Sequence, residues 1–279
     1  MNHKKKFTLL FCLICSLLSS REFTLFTEPK TATHLLIPIL EALTGKPVFW
    51  AEKFQNRETL SLEKDLDLEN HNYIYFSTNK APWTRNVMDT VWKINQKKGT
   101  FLHLHAPFSP VIENYLLERN CINFFVKRDP RDQIVSLLNH YRHIHLTDKN
   151  LESIASDEDR LLLMILKNLR RRTKNFMGWL TSPACSVLDF NKLMGAHGGA
   201  ATDADALGEM RKIAATLGLT ISDAKLETVY RACFGHGWSF FRGKVGSWKE
   251  YFNETHKAAV KEEIGDLLIE LGYEKNINW

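Results

Sequence analysis

Four short apolar runs punctuate the chain: "EFTLFT" (22–27), "TFLHLH" (100–105), "INFFVK" (122–127) and "CSVLDF" (185–190). "NYIYFST" (72–78) is a possible fifth. They are too short for helices, and most do not alternate cleanly between apolar and polar residues, as strands covered on both faces need not. Helical periodicity occupies 31–44, 84–97, 109–119, 131–144, 157–180, 203–217 and 256–271. Strands alternating with helices require crossover connections, which predict a parallel sheet of about four to five strands flanked by helices on both faces. In such α/β sheets ligands bind beyond the carboxyl ends of the strands. The residues just after each run are therefore the first place to look for chemistry.

The first run ends in "TEPKTATHLL", a strand meeting a helix through a lysine flanked by threonines. A helix N-terminus offers free N–H groups and the positive end of its dipole, so this turn suits an anion. Lys30 would add a full charge, and Thr31 and Thr33 hydroxyl donors. An ordinary β-α turn with a threonine cap and a solvated lysine has the same sequence. The third run ends in "KRDPRDQIVS", where Pro130 stops the strand ladder and a helix follows. Arg128 at the strand end can bind phosphate bidentately, and Ser136 lies eight residues on. A surface arginine paired with Asp129 or Asp132 is the plainer alternative. Near the C-terminus, "RGKVGSWKEYF" sets Gly243 and Gly246 among Arg242, Lys244 and Lys249, so that backbone can approach an anion closely. The same letters also describe a glycine turn before the last helix.

The second run ends in "HLHAP". His105 at a strand end can serve as a general base near neutral pH, and His103 shares its strand parity. A His-x-His pair can also hold a metal, but no third ligand stands at a convincing spacing. No Walker A ending and no Gly-x-Gly-x-x-Gly after a strand is present, which disfavours P-loop NTPases and dinucleotide enzymes. The segment "GAHGGAATDAD" (195–205) reads as a surface loop with no role in a site, and 45–70 as a polar flap or substrate-facing loop.

Composition adds limits. Hydrophobic residues make up 44% and charged residues 25% of the 279, ordinary for a globular chain of one large or two small domains. The net charge is +5, of which Lys4, Lys5 and Lys6 supply +3 with no acid in residues 1–20. The remainder carries +2, which is no nucleic-acid footprint. "MNHKKKFTLLFCLICSLLSS" (1–20) has the basic start and 12-residue apolar run of a secretory leader, cleaved or retained as an anchor. The domain is expected over 21–279, and membrane contact only through an uncleaved leader. Cys121, Cys185 and Cys233 are few and widely spaced, so neither a disulfide framework nor a zinc site is expected.

The motifs together resemble the sulfotransferase family that uses 3′-phosphoadenosine-5′-phosphosulfate (PAPS). "TEPKTAT" is similar to its 5′-phosphosulfate loop, PKSGTT. "KRDPRDQIVS" matches its 3′-phosphate motif, R-[ND]-P-[RK]-D-x-x-x-S, residue for residue. "RGKVGSWKEYF" resembles its C-terminal glycine loop, and "HAP" its H-L-P. "VLDFNKLMG" and "KIAATLGL" fall where the family often has YEDL and a helix ending in LGL. The resemblance spans roughly residues 22–273.

It implies a P-loop-like α/β sulfotransferase architecture and transfer of a sulfuryl group from PAPS to a hydroxyl or amine acceptor, without metal. Lys30 would stabilise the bridging oxygen and His105 take the acceptor proton. Thr31, Ala32, Thr33 and His34 would hold the 5′-phosphate. Arg128 and Ser136 would hold the 3′-phosphate, with Arg242, Gly243, Lys244 and Gly246. The acceptor, whether small molecule, carbohydrate or lipid, would meet the variable segments 45–70 and 139–160. Departures are specific. Ala32 stands for a glycine, His34 for a threonine, and Leu35 for the adenine-stacking tryptophan of cytosolic members. Phe241 stands for an arginine, with Arg242 at the neighbouring lysine position. His103 stands for a common lysine, and Phe190 lacks a tyrosine hydroxyl. A non-catalytic nucleotide-binding module, or another nucleotide-dependent transferase or kinase, shares most of these features.

Overall fold

A computed structural model describes residues 21–51, 73–74, 85–144, 156–235 and 240–279. The leader at 1–20, most of the expected flap and much of the 139–160 segment lie outside the described residues. In chain order the strands are β1 (Phe23–Phe26), β2 (Val48–Ala51), β3 (Tyr73–Ile74), β4 (Phe101–Leu104), β5 (Ile122–Lys127) and β6 (Cys185–Asp189). The helices are α1 (Thr33–Thr44), α2 (Arg85–Lys98), α3 (Pro110–Glu118), α4 (Pro130–Ile144), α5 (Asp157–Met177), α6 (Phe190–Leu193), α7 (Gly195–Gly198), α8 (Asp203–Thr216), α9 (Asp223–Cys233), α10 (Trp248–Tyr251) and α11 (Glu254–Glu270). The six strands form one sheet in the order β3-β2-β4-β1-β5-β6, and all five pairings are parallel.

The apolar runs are buried on both faces because crossover helices cover both. From β1, Phe23 and Leu25 pack with α1, α8 and α9 residues such as Leu36, Met210 and Leu226. Phe26, one residue out of phase, packs with Ile112, Tyr115, Phe176 and Trp179 on the other face. A third cluster joins α4, α5 and α11 through Leu138, Ile165 and Leu268. The sheet has one strand more than the sequence pattern placed: β2 lies inside the stretch read as a polar flap. Only two residues of the expected 72–78 strand are described, and α9 was not anticipated.

The topology fixes the site. β1 is central, between β4 and β5. Its crossover runs to β2 on one side, whereas β5 leads to β6 on the other, so the strand order reverses between β1 and β5. A crevice at the carboxyl ends follows from that reversal. The turn after β1, the end of β5 and the end of β4 all open into it.

Candidate functional site

The turn between β1 and α1 contains no glycine, yet Lys30 and Ala32 both take the left-handed conformation, at φ 70° and 63°. Each such residue costs on the order of 1–3 kcal/mol unless its surroundings impose it. Ala32 is the N-cap of α1 and makes no side-chain cap bond. The N–H groups of Leu35 and Leu36 both donate to the Ala32 carbonyl, at 2.9 and 3.0 Å, so an anion at this helix start would meet the N–H groups of the turn and of Thr33.

The threonines serve the turn itself. Thr31 is fully buried, and its hydroxyl donates to the Glu28 carbonyl at 2.6 Å. What it can offer an anion is its backbone N–H. The Thr33 hydroxyl pairs with the Thr27 hydroxyl at 2.9 Å. Thr27 Oγ1 also lies 3.2 Å from His103 Nε2 and 3.3 Å from His105 Nδ1. It thereby joins the strand that carries the histidines to the first turn of α1. Sequence reading passed over Thr27.

The two histidines do face one way, with ring centroids 4.9 Å apart and planes at 87°. His105 Nδ1 is 3.0 Å from the Thr27 carbonyl. A carbonyl can only accept, so Nδ1 carries the hydrogen and Nε2 is the basic nitrogen. Burial lowers the His105 pKa to about 4, the Thr27 bond opposes the shift, and the charges of Arg172 and Lys30 add to it. His105 is thus neutral at rest. His103 is wholly buried, and burial holds it well below the ordinary histidine value. His34 is lowered to about 4, first by burial and then by the charges of Lys30, His105 and His140.

Two cations meet at the strand reversal. Arg128 Nη1 donates to the Lys30 carbonyl at 2.5 Å, and its guanidinium lies 4.0 Å from the centre of the Phe190 ring. The missing tyrosine hydroxyl at Phe190 leaves an apolar platform for Arg128. Among the described residues, neither Lys30 nor Arg128 forms an ion pair, and the buried Nε of Arg128 finds no acceptor. Burial lowers Lys30 to about 8, helped by Arg128 and Arg172, and lowers Arg128 to about 10 against the pull of Asp132 and Asp129. Desolvated cations that form no ion pair among the described residues would gain from a bound anion. That donor set fits a phosphate-bearing ligand. Among the described residues no group of three or more His, Cys, Asp or Glu side chains is placed to hold a metal.

Asp129 and Asp132, candidates for pairing with Arg128, are engaged elsewhere. Asp129 is bound by Arg131 at 2.7 Å, and the Arg131 guanidinium lies 4.0 and 4.5 Å from the centres of the Trp248 and Trp279 rings, which meet edge to face. Asp132 accepts from the Gly246 and Trp248 N–H groups at 2.7 and 3.0 Å. It ties the C-terminal glycine loop to the helix that follows Arg128. Gly243 has φ 61°, and a Cβ there would meet the Phe240 ring at 3.0 Å. Arg242 is exposed and paired with Glu250 at 2.8 Å, and Lys244 donates to the His197 carbonyl at 2.5 Å. Ser136 sits half-buried on α4, and its hydroxyl has no partner among the described residues.

The 195–205 segment, read from sequence as a loop with no part in a site, is a brace instead. His197 Nε2 donates to the Arg242 carbonyl at 2.8 Å, and the Gly198 carbonyl accepts from Val245 N–H at 3.1 Å. Arg172 was also missed. Its Nε donates to Glu28 Oε1 at 2.7 Å and its Nη2 to the Pro29 carbonyl at 2.8 Å. A signal existed: Arg172 falls seven residues after Ile165 and four before Phe176, on the buried stripe of α5, where a charge needs a reason.

No protein-family model and no curated protein sequence matches the chain. Solved structures do. A mouse sulfotransferase complexed with 3′-phosphoadenosine-5′-phosphate (PAP) superposes with a TM-score of 0.57 at 14% identity, over 91% of this chain and 88% of that one. Retinol dehydratase with androsterone and PAP gives 0.56 at 16% identity, over 88% and 80%. Retinol dehydratase with retinol and PAP gives 0.57 at 15%, over 90% and 82%. The chain has the fold of PAP-binding sulfotransferases.

Proposed function

We propose that the protein is a PAPS-dependent sulfotransferase. One observation carries the reading. Lys30 and Arg128, desolvated and without ion pairs among the described residues, are joined at 2.5 Å at the reversal point of a sheet with this fold. Their charges suit the two phosphate ends of a 3′,5′-bisphosphorylated nucleotide, the 5′ end at the first turn of α1 and the 3′ end at Arg128. Ser136 and the loop from Arg242 to Gly246 lie on and against the helix after Arg128 and would complete the 3′ side.

When bound, PAPS supplies a sulfuryl group that passes to the acceptor oxygen as its bond to the 5′-phosphate oxygen breaks with the electron pair. Such transfers are loose, so the protein contributes mainly positioning and electrostatics. Lys30 neutralises charge on the leaving oxygen. His105 Nε2 receives the acceptor proton, with Nδ1–H held by the Thr27 carbonyl. A base at about 4 is weak, but an anion beside Lys30 and Arg172 offsets two of the charges that depress it, which raises its basicity during turnover. The N–H groups of the turn and of Thr33, with His34, hold the 5′-phosphate. The acceptor is a hydroxyl of a small molecule, carbohydrate or lipid.

The test is thermal shift with PAP, AMP and ATP, followed by transfer of radiolabelled sulfate from PAPS to a panel of hydroxyl acceptors. PAP should stabilise most. Stabilisation by ATP over PAP would point to a kinase-type transferase. PAP binding with no transfer to any acceptor would point to a non-catalytic module.

A further inference from the structure

Three consecutive carbonyls in the turn after β1 are each taken by a different side chain. The Glu28 carbonyl accepts from Thr31 Oγ1 at 2.6 Å, the Pro29 carbonyl from Arg172 Nη2 at 2.8 Å, and the Lys30 carbonyl from Arg128 Nη1 at 2.5 Å. Across a planar trans peptide the C=O and the following N–H point in opposite directions. Fixing the Pro29 and Lys30 carbonyls therefore fixes the N–H groups of Lys30 and Thr31 on the other side. With Lys30 and Ala32 left-handed, the turn is a concave set of N–H donors. Glycine would adopt that shape freely; lysine and alanine do not, so the surroundings must impose it.

Arg172 is the piece that comes from outside the turn and outside the nucleotide motifs. It reaches across from α5, which the Arg170–Asp266 pair, two residues earlier on the same helix, ties to α11. It grips the turn twice, at the Pro29 carbonyl and at the buried Glu28 carboxylate. Glu28 has no other ion-pair partner among the described residues, so the pair is committed to this place. We propose that Arg172, paired with Glu28, is a positioning residue that holds the glycine-free turn in its anion-binding shape. The identity of the anion rests on the sulfuryl-transfer reading; the clamp does not.

The experiment compares wild type, Ala32→Gly, Arg172→Gln, Arg172→Lys and Arg172→Gln/Ala32→Gly. The first readout needs no ligand: hydrogen exchange in peptides covering 28–36, against peptides covering β4 and β5. Arg172→Gln should raise exchange in the turn and leave the strands protected. The second is affinity for PAP and AMP by calorimetry. Both share the 5′-phosphate, so both should weaken by the same factor, on the order of tenfold for one lost charge-assisted grip. Glycine at position 32 removes the need for imposed geometry, so the double variant should regain much of the lost affinity, and more than Ala32→Gly gains in the wild type. If Arg172→Gln does not fold, Arg172→Lys, which keeps the charge but not the two-point grip, gives the same pattern at smaller amplitude. Unchanged exchange in 28–36 overturns the clamp, whether or not PAP binds. A loss of affinity that Ala32→Gly does not recover also overturns it, because the charge of Arg172 would then be acting on the ligand directly. Wild type failing to bind PAP overturns the sulfuryl-transfer reading and leaves the exchange comparison to decide the clamp.

Discussion

If the proposed function holds, Lys30 should make the binding of a phosphorylated ligand depend on pH near 8. Burial, with Arg128 and Arg172 nearby, brings it down to about 8. The charged form is the one that binds. Affinity for PAP should be constant between about pH 7 and 7.5 and fall above 8, because the fraction of free protein with a charged Lys30 falls. At pH 9 that fraction is about one-tenth, so the dissociation constant should rise by about tenfold relative to pH 7. The phosphate groups do not confound this, since their second ionisation lies near 6. Once bound, the anion raises the lysine pKa, so kcat at saturating donor should hold to higher pH than kcat/KM. On the acid side, protonation of the donor's 3′-phosphate near pH 6 should lower kcat/KM first, and charging of His105 towards about 4 should lower it further. The assay is calorimetric titration with PAP at pH 7, 8, 9 and 9.5, in wild type and Lys30→Arg. A guanidinium stays charged throughout, so Lys30→Arg should lose the alkaline limb even if its affinity at pH 7 is lower. Affinity independent of pH to 9.5 in wild type, or an alkaline limb that persists in Lys30→Arg, would refute the assignment.

The same depressed lysine predicts a stability gain on its removal. Its folded pKa is below the unfolded one, so the charged form costs stability below about pH 8, and that cost is relieved as pH rises towards 10.5. Lys30→Met should therefore raise the ligand-free Tm at pH 7 and abolish the shift produced by PAP; an unchanged or lower Tm contradicts the electrostatic account. Arg128→Ala should weaken PAP by about 1.5–3 kcal/mol, the range for a hydrogen bond to a charged group. AMP should lose less, the residual loss reflecting the Lys30 carbonyl left without its donor; equal losses would remove the 3′-phosphate assignment. His105→Ala should cut kcat by roughly 10²-fold or more with PAP affinity nearly unchanged, and His103→Ala by less, because the buried His103 acts through Thr27. The reverse ranking in steady-state kinetics would make His103 the base.

The strand runs and helical periods determined the layer architecture, because burying a strand on both faces demands crossover helices. They also placed Lys30, His105 and Arg128 at carboxyl ends, since each follows directly on an apolar run. Short-range pattern reached no further. It missed β2, whose four residues VFWA sit in a polar stretch and become a strand through pairing with Phe101–His103 on one side and Tyr73–Ile74 on the other. It gave the threonines of the first turn to the ligand, whereas the structure commits the Thr31 and Thr33 hydroxyls to Glu28 and Thr27. Arg172 stands 142 positions after Lys30 along the chain, and His197 pairs with a loop 45 residues on. A side chain's partner at such separation depends on which helix crosses which strand end, and that is set by sheet order. The order β4-β1-β5 brought Lys30, Arg128 and the two histidines around one crevice, stripped them of water and so lowered their pKa values. The residue types that can carry the chemistry were written locally, while their desolvation, mutual distances and braces came from tertiary packing, because those depend on neighbours far away in sequence.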